Sequence, residues 1–421
     1  MHRIIAAVLA VSCAAVAQGQ TVLPAQAGPV LTLEQALDHA RAASPALDAA
    51  AAGLRAADAR RAVAALRPNP SLVAETANVA GSGQYQGFRS AETTIGLAVP
   101  IETGGKRSAR VALADAQGAR TALEALAADA DLVLRVTQAY AQAAAATKRA
   151  GALRDQAGIA RDMLNAAHVR VRAGRASPLE EQRADVRRIN AEAALDRALR
   201  GQALADETLA RLIGMEAPGV PDPGWFDRID EAGPPAPIGI DDTLAAAGAR
   251  ADLAAADAQI RLARSQRVPD ITVSASARRL EATGDVAAVF GLSVPLALFN
   301  GGRAQLGVAT AQRDQAEALR RLARLDAAQA IATARTEVAD AAAAARAATG
   351  PALAAATEAA RIARIGYREG KFGQLDLLDA ERALAETRAT AIDALAAYHD
   401  ARARLARLTA VAQPIAEDTA R

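Results

Sequence analysis

The 421-residue chain has little of what most globular proteins use to build a core, with one cysteine and 2% aromatic residues. The lone cysteine, Cys13, excludes an intramolecular disulfide bridge, and the shortage of rings argues against a bulky compact core. The abundant alanine, leucine, arginine and acidic residues favour long helices that pack closely through small side chains. We therefore predict a mainly α-helical protein.

Long apolar runs are also missing. After the first residues, no segment reaches the roughly 20 consecutive apolar residues of a membrane-spanning helix. Lipid tolerates no unpaired backbone groups, so any part of this chain that spans a membrane must consist of β-strands.

The chain carries no excess of either charge. Its 49 basic and 47 acidic residues give a formal net charge of +2 and are spread along its whole length, so nucleic acid is disfavoured as a partner. We find no histidine pair at metal-ligand spacing, no nucleophile elbow and no paired catalytic constellation. We predict no catalytic residue, no metal site, no cofactor and no enzymatic activity, and expect His39, His168 and His399 on helix surfaces.

The first residues indicate export. A short positive end, an apolar run from Ile4 to Val11 and small residues at 15–17 predict a signal peptide over residues 1–17. Cys13 lies in a segment that loosely resembles a bacterial lipobox, so its lipidation is the alternative to ordinary cleavage.

The rest of the chain is a duplication. Two halves, residues 31–214 and 241–410, match element by element at an offset of about 196. The Pro/Gly-rich segment 215–240 is predicted to link them, and 411–421 forms a C-terminal tail. The ordered matches are Arg67–Pro70 with Arg267–Asp270, Gly96–Pro100 with Gly291–Pro295, Gly104–Lys106 with Gly301–Arg303, Val171–Arg175 with Tyr367–Lys371, and Leu209–Ile213 with Leu405–Thr409.

Each half is predicted to contain a helix, two strands, a long helix, a turn and a helix. The opening helix begins after Thr32 as N-cap and runs to about Leu66. The long helix of the first half covers about 106–172, and that of the second half is interrupted near Pro351. Alternating apolar residues predict strands at about 71–80, 91–101, 270–281 and 286–297.

Four strands of this length are long enough to cross a bilayer, but bacterial barrels need at least about eight strands to close. Because open sheet edges are not tolerated in lipid, copies of the chain must pool their strands. Three copies giving about twelve strands are the simple solution.

Two runs carry a family resemblance, Val99 to Arg107 after the first strand pair and Tyr367 to Ala380 after the second long helix. With the duplication, they make residues 31–410 resemble the TolC family of outer membrane factors, and within it the heavy-metal-efflux branch. This resemblance implies a homotrimer with a 12-stranded barrel in outer-membrane lipid, continuous with a periplasmic α-helical tunnel. It also implies a periplasmic adaptor and an inner-membrane resistance-nodulation-division (RND) pump as partners in a Gram-negative bacterium.

The resemblance also assigns roles to residues. Asp376 and Asp379, which share a helix face, match acidic residues that line the constriction at the closed tip. The plainer interpretation is that they stabilise a helix N-terminus, and the two roles are compatible. The adaptor-contacting turns would be Gly174, Arg175, Ala176, Ser177, Gly370, Lys371, Phe372, Gly373 and Gln374.

Two alternatives remain open at this point. The same channel could serve drug efflux or type I protein secretion instead of heavy-metal export, because an outer conduit need not recognise cargo that the pump has already selected. A periplasmic adaptor also has a signal peptide and long helices, but it would carry many short strands around a single hairpin.

Overall fold

The computed structural model describes residues 30–229 and 239–412. The predicted signal peptide (1–17), Cys13, part of the predicted linker (230–238) and most of the predicted tail (413–421) lie outside the described residues. In chain order the elements are β1 (Val30–Leu31), α1 (Leu33–Ala43), α2 (Pro45–Ala64), β2 (Ser71–Ala77), β3 (Glu92–Ile101), α3 (Lys106–Arg172), α4 (Pro178–Ile213), β4 (Val220–Pro221), α5 (Pro223–Phe226), α6 (Leu244–Ser265), β5 (Ile271–Leu280), β6 (Val286–Ser293), α7 (Arg303–Ala347), α8 (Leu353–Arg368) and α9 (Gln374–Leu408).

The opening helix is two helices, and the single helix predicted to run to Leu66 is wrong. Thr32 caps α1 with Gln35 as its capping-box partner, as the sequence indicates. At Ser44 the backbone is extended, the side chain accepts from the N–H of Leu47, and Pro45 begins α2. A proline favours an extended residue before it and is well suited to the first helical turn, so Ser44–Pro45 ends one helix and begins the next.

The long helix α3 runs unbroken for 67 residues, about 100 Å at 1.5 Å per residue. Its partner in the second half is interrupted, as predicted. A π-helical turn over Ala348–Ala352 contains Pro351 and separates α7 from α8. The proline ring removes one backbone donor and crowds the preceding turn, and a wider turn accommodates both effects.

Helix α3 is the centre of the helical part. Towards one end it packs against α2 and α6, with α7 beyond α6, and towards the other it packs against α4 and α9, with α8 beyond α9. Most of its buried positions are alanines, such as Ala143, Ala145 and Ala157. Small side chains let helix axes approach to the short end of the usual 8–10 Å range. No helix in the described ranges combines the length and apolar character needed to cross a membrane.

The four longer strands form one antiparallel sheet in the order β2-β3-β5-β6. Strands β2 and β6 end earlier than predicted, at Ala77 instead of about 80 and at Ser293 instead of about 297. The left-handed φ of 59° at Asn78 turns the chain away after β2. Beyond β6, Pro295 supplies no N–H for a ladder hydrogen bond.

The two faces of this sheet differ in character. One face presents large exposed apolar side chains, including Ile95, Leu97, Phe290 and Leu292. The other carries mostly polar or small side chains, with Val73 and Val289 as exceptions, and Thr94 and Ala98 on it are buried. The sheet is therefore amphipathic, and its apolar face is exposed to solvent in the single chain.

The linker packs against the middle of the helices. Strand β1 pairs with β4, and the hydroxyl of the fully buried Tyr140 on α3 ties both, donating to the carbonyl of Leu31 at 2.7 Å and accepting from the N–H of Asp222 at 2.8 Å. The rings of Trp225 and Tyr140 meet edge to face at 4.9 Å. This contact anchors the linker to α3 by packing.

His399 is not on a helix surface, and that prediction is wrong. The side chain is 2% exposed, its ring stacks on Trp225 with centroids 4.1 Å apart, and its Nε2 lies 2.9 Å from the carbonyl oxygen of Phe226. The α9 face that carries His399 is covered by the linker helix α5, which sequence periodicity alone did not place there.

We expect Tyr140→Phe to lower the free energy of unfolding by about 0.5–1.5 kcal/mol for each of the two hydrogen bonds that it removes. The Leu31 carbonyl and the Asp222 N–H keep their direct hydrogen bond to each other at 3.1 Å, which limits the loss. Guanidinium unfolding followed by the fluorescence of Trp225, the only tryptophan, measures this loss. The control Tyr85→Phe removes a hydroxyl from an exposed ring and should leave the midpoint unchanged. Equal midpoints for both variants would contradict the role of the Tyr140 hydroxyl.

Candidate functional site at the helix-hairpin tips

The first tip is the turn between α3 and α4. Gly174 takes a left-handed φ of 68°, and the side chain of Ser177 caps α4 by accepting from the N–H of Leu179. The predicted contact residues Gly174, Arg175 and Ser177 are exposed here, whereas Ala176 is half-buried.

The second tip is the turn between α8 and α9. Gly370 is also left-handed, and the N–H groups of Lys371 and Phe372 both donate to the carbonyl of Gly366. The Phe372 ring lies so close to Gly366 that a Cβ there would come within 2.1 Å of it. Of the predicted contact residues, Gly370, Lys371, Phe372 and Gly373 are exposed and Gln374 is half-buried.

Three side chains join the two tips. The guanidinium of Arg170 on α3 donates to the hydroxyl of Tyr367 on α8, and this hydroxyl donates to Oε1 of Glu180 on α4 at 3.1 Å. Arg170 also forms an ion pair with Glu180 at 3.3 Å, and its guanidinium carbon lies 5.2 Å from the centre of the Tyr367 ring. We call Arg170, Glu180 and Tyr367 the tip triad.

Burial raises the pKa of the Tyr367 hydroxyl, and the negative charge of Glu180 acts in the same direction. The hydroxyl is therefore protonated at neutral pH and keeps the proton that it donates to Glu180. The triad couples the hairpin of the first repeat to that of the second through charge-assisted hydrogen bonds.

Sequence reasoning did not identify the triad as a site. The available signal was a break in the duplication, since Tyr367 occupies the position that Val171 holds in the first repeat. A phenol that replaces an aliphatic residue at a repeat-equivalent position indicates a contact that one repeat makes and the other does not.

Asp376 and Asp379 both lie exposed near the start of α9. The carboxylate of Asp376 accepts from the N–H of Gly373 at 2.9 Å and so satisfies a free donor at the helix N-terminus. The stabilising role that the sequence allows for Asp376 is therefore present.

Asp379 has a different environment. It lines a groove between the α3–α4 hairpin and α9, to which α4 contributes Arg187 and α9 contributes Arg382. Burial, followed by the positive charge of Arg183, lowers the pKa of Arg187, whereas the charge of Asp379 opposes that shift. A positive charge on the first repeat thus faces the acidic residue on the second.

The described residues contain no group of three or more histidine, cysteine or acidic side chains placed to hold a metal ion. His168 lies 2.8 Å from Glu181, which joins α3 to α4, and His39 is exposed on α1. The tips therefore combine left-handed glycine turns, a hydrogen-bonded tie and unequal charges.

Comparison with known proteins connects this geometry to a family. A sequence model described as "Outer membrane efflux protein" matches residues 36–215 and 243–411, which is most of the chain. The two matched segments coincide closely with the two repeats and leave the linker between them.

Two curated relatives share this length and order. The chain is 29% identical to the cobalt-zinc-cadmium resistance protein CzcC of Cupriavidus metallidurans over 403 residues, covering 94% of this chain and 95% of CzcC. It is 32% identical to the nickel and cobalt resistance protein CnrC of the same organism, covering 71% of this chain and 73% of CnrC.

Solved structures show the same fold. The structure of CusC superposes with a TM-score of 0.74 at 18% identity, covering 91% of this chain and 93% of CusC. The outer membrane protein VceC of Vibrio cholerae gives a TM-score of 0.72 at 23% identity, covering 90% and 96%.

The duplicated hairpins, the amphipathic sheet and the matches over both repeats agree with one another. The match to the efflux-channel family over both repeats favours a channel over a periplasmic adaptor. The chain belongs to the outer membrane efflux protein family, the TolC-type channels of the Gram-negative outer membrane, and is an efflux channel rather than an enzyme.

Proposed function

We propose that the channel exports heavy-metal cations as a homotrimer, receiving them from an inner-membrane RND pump through a periplasmic adaptor. The likeness to CzcC over nearly the whole length of both chains carries the cargo assignment, and CnrC has a name of the same kind. The metals are cargo in this proposal, so the chain needs no high-affinity site of its own.

The sheet supports the trimer. Its edge strands β2 and β6 have no neighbour on their outer sides within the described chain, and one face is apolar. Pairing β6 of one copy with β2 of the next satisfies both edges, and closure needs at least about eight strands. Three copies give twelve strands, with the apolar face towards outer-membrane lipid and the polar face lining the conduit.

The helices support the same arrangement. Exposed leucines Leu319, Leu322 and Leu325 follow one another on α7, the helix at one edge of the layer α2-α3-α6-α7. At the edge of the other layer, α4 exposes Val186 and Ile189. A neighbouring copy would cover these apolar strips and continue the helical wall into a tunnel.

The gate in this proposal is the tip. The triad fastens the second-repeat hairpin to the first-repeat hairpin, so that opening requires its hydrogen bonds to break. Asp376 and Asp379 place negative charge beside that joint, where a threefold axis multiplies it and attracts cations. The turns at 174–177 and 370–374 are the exposed ends that an adaptor reaches.

The cargo assignment predicts that a host strain lacking this protein retains more cobalt, zinc or cadmium than its parent after metal challenge. Elemental analysis of washed cells measures this retention, and the plasmid-borne gene should reverse it. Unchanged metal content together with increased retention of a dye or drug would contradict metal export and indicate drug efflux. A defect confined to the release of an exported protein would indicate type I secretion.

The gate predicts that Tyr367→Phe and Glu180→Gln favour the open tip. Tyr367→Phe removes both hydrogen bonds of the hydroxyl, and Glu180→Gln removes the charge that pairs with Arg170. At about 0.5–1.5 kcal/mol for each hydrogen bond, the occupancy of the larger conductance should rise at least about twofold in planar bilayers. Glu358→Gln is the matched control, because Glu358 pairs with Arg361 within α8 and spans no joint. Equal occupancy of the larger conductance in all three variants and the wild type would contradict a role of the triad in the gate.

The two aspartates predict cation preference. Asparagine keeps an oxygen acceptor for the Gly373 N–H, so Asp376→Asn and Asp379→Asn remove charge with little loss of the helix cap. We expect the K⁺/Cl⁻ permeability ratio, obtained from reversal potentials, to fall at least about twofold for the pair of substitutions. Asp326→Asn, on an exposed part of α7, should leave the ratio unchanged, and an equal fall there would contradict a local effect.

A further inference from the structure

The polar face of the sheet carries a charged network near the loops that join the strands. Thr94 on β3 lies in register with Arg278 on one side and Glu75 on the other, so these three side chains share one row and one face. Glu92, two residues before Thr94, lies on the same face one step nearer the loops.

Arg278 is held by two contacts in this network. Its Nη1 lies 3.1 Å from Oε2 of Glu92, and its Nε donates to the hydroxyl of Thr94 at 3.1 Å. The second oxygen of Glu92 accepts from the amide of Asn78 at 3.3 Å. Arg278 and Glu92 therefore cancel each other's charge within a fixed geometry.

Glu75 completes the row without a counter-charge. Its side chain is exposed, and no ion pair reaches it from any residue that the structure describes. With Glu92 and Arg278 cancelled, the face keeps a net charge of −1 per copy.

The opposite face provides an internal reference. Arg279 follows Arg278 in β5 but points the other way, and it pairs with Glu281 at 3.0 Å. Its neighbours in register are Thr93 and Val286. Arg278 and Arg279 thus carry the same charge but lie on opposite faces of the sheet.

We propose that Arg278 determines ion preference at the loop end of the conduit, by cancelling Glu92 and leaving Glu75 as a ring of three negative charges in the trimer. This inference rests on the proposed trimer in which the polar face lines the conduit. The ring would be a second electrostatic filter for cations, at the opposite end of the molecule from the aspartates of the tip. Removing Arg278 would change the net charge of the face from −1 to −2 per copy.

A reporter cysteine at Ser276 measures this charge directly. Ser276 lies two residues from Arg278 on the same strand and face, about 7 Å away. The probes are a trimethylammonium-ethyl and a sulfonato-ethyl methanethiosulfonate, reacted with the full-length protein in detergent, and the measured quantity is the ratio of cationic to anionic modification rates. The wild-type protein, whose sequence has Cys13 as its only cysteine, gives the background modification rate.

We expect Arg278→Gln to raise this rate ratio about five- to sevenfold at low ionic strength, since the probes differ by two charges and sit about 7 Å from the lost charge. Glu75→Gln should lower the ratio. Arg278→Lys should restore it, because lysine keeps the charge but loses the forked geometry, whereas a purely structural arginine would not be rescued. Arg279→Gln, the matched control, should leave the ratio unchanged.

A second reporter at Ala277, on the opposite face, separates the two levels of the proposal. Modification at 276 and not at 277 supports the polar face as the lining of the conduit. If both positions react equally, the proposed barrel orientation fails. The charge role of Arg278 fails if only position 276 reacts and Arg278→Gln leaves its rate ratio unchanged, or if Arg279→Gln changes the ratio equally. The proposed channel is not contradicted by either result.

Discussion

Close packing of helices through alanine is the interaction on which the rest of the structure depends. With few rings to fill space, the chain gains stability by bringing backbones near one another along the length of α3, where each buried alanine adds little area but many contacts at short range. Alanines occupy most of the buried positions of α3, and the larger Leu132, Val136 and Tyr140 are buried in its middle part. Such packing explains how the described residues form a helical part about 100 Å long, the length of α3, instead of a compact core, and it holds the sheet and the tips apart.

The duplication gives the two halves nearly the same elements, and the places where they differ are the places with a local task. A π-helical turn at Pro351 interrupts the long helix of the second repeat, whereas its counterpart α3 is unbroken. Tyr367 replaces Val171 and creates a tie that no symmetric pair could make.

The sequence predicted elements whose signals are local. The N-cap at Thr32, the start and end of α3, and the alternation of β3 all follow from a few neighbouring residues, and the structure has them at these positions. Errors arose where distant residues decide the outcome. His399 resembles a surface residue on its own helix because the linker that covers it is 173 residues away, and the tip triad joins residues up to 197 apart. The bounds of β2 depended on the left-handed Asn78, which no periodicity indicates. The proposed roles of Asp376 and Asp379 came from family resemblance, and their unequal surroundings became visible only when α4 was placed beside α9.

In the proposed channel, charged side chains contribute to structure and to transport, and the geometry separates the two uses. A carboxylate that accepts a backbone N–H, as Asp376 does, or that meets a guanidinium, as Glu92 does, has its charge fixed in position and partly compensated. A carboxylate without such a partner, as Glu75, adds its whole field to the space that it faces. Because the field of a conduit is the sum over all copies, one uncompensated group per chain is sufficient to bias a wide opening, while the paired groups keep the wall rigid. Ion preference in such a channel therefore follows from the balance of paired and unpaired charges along the wall, and requires no site that binds the cargo.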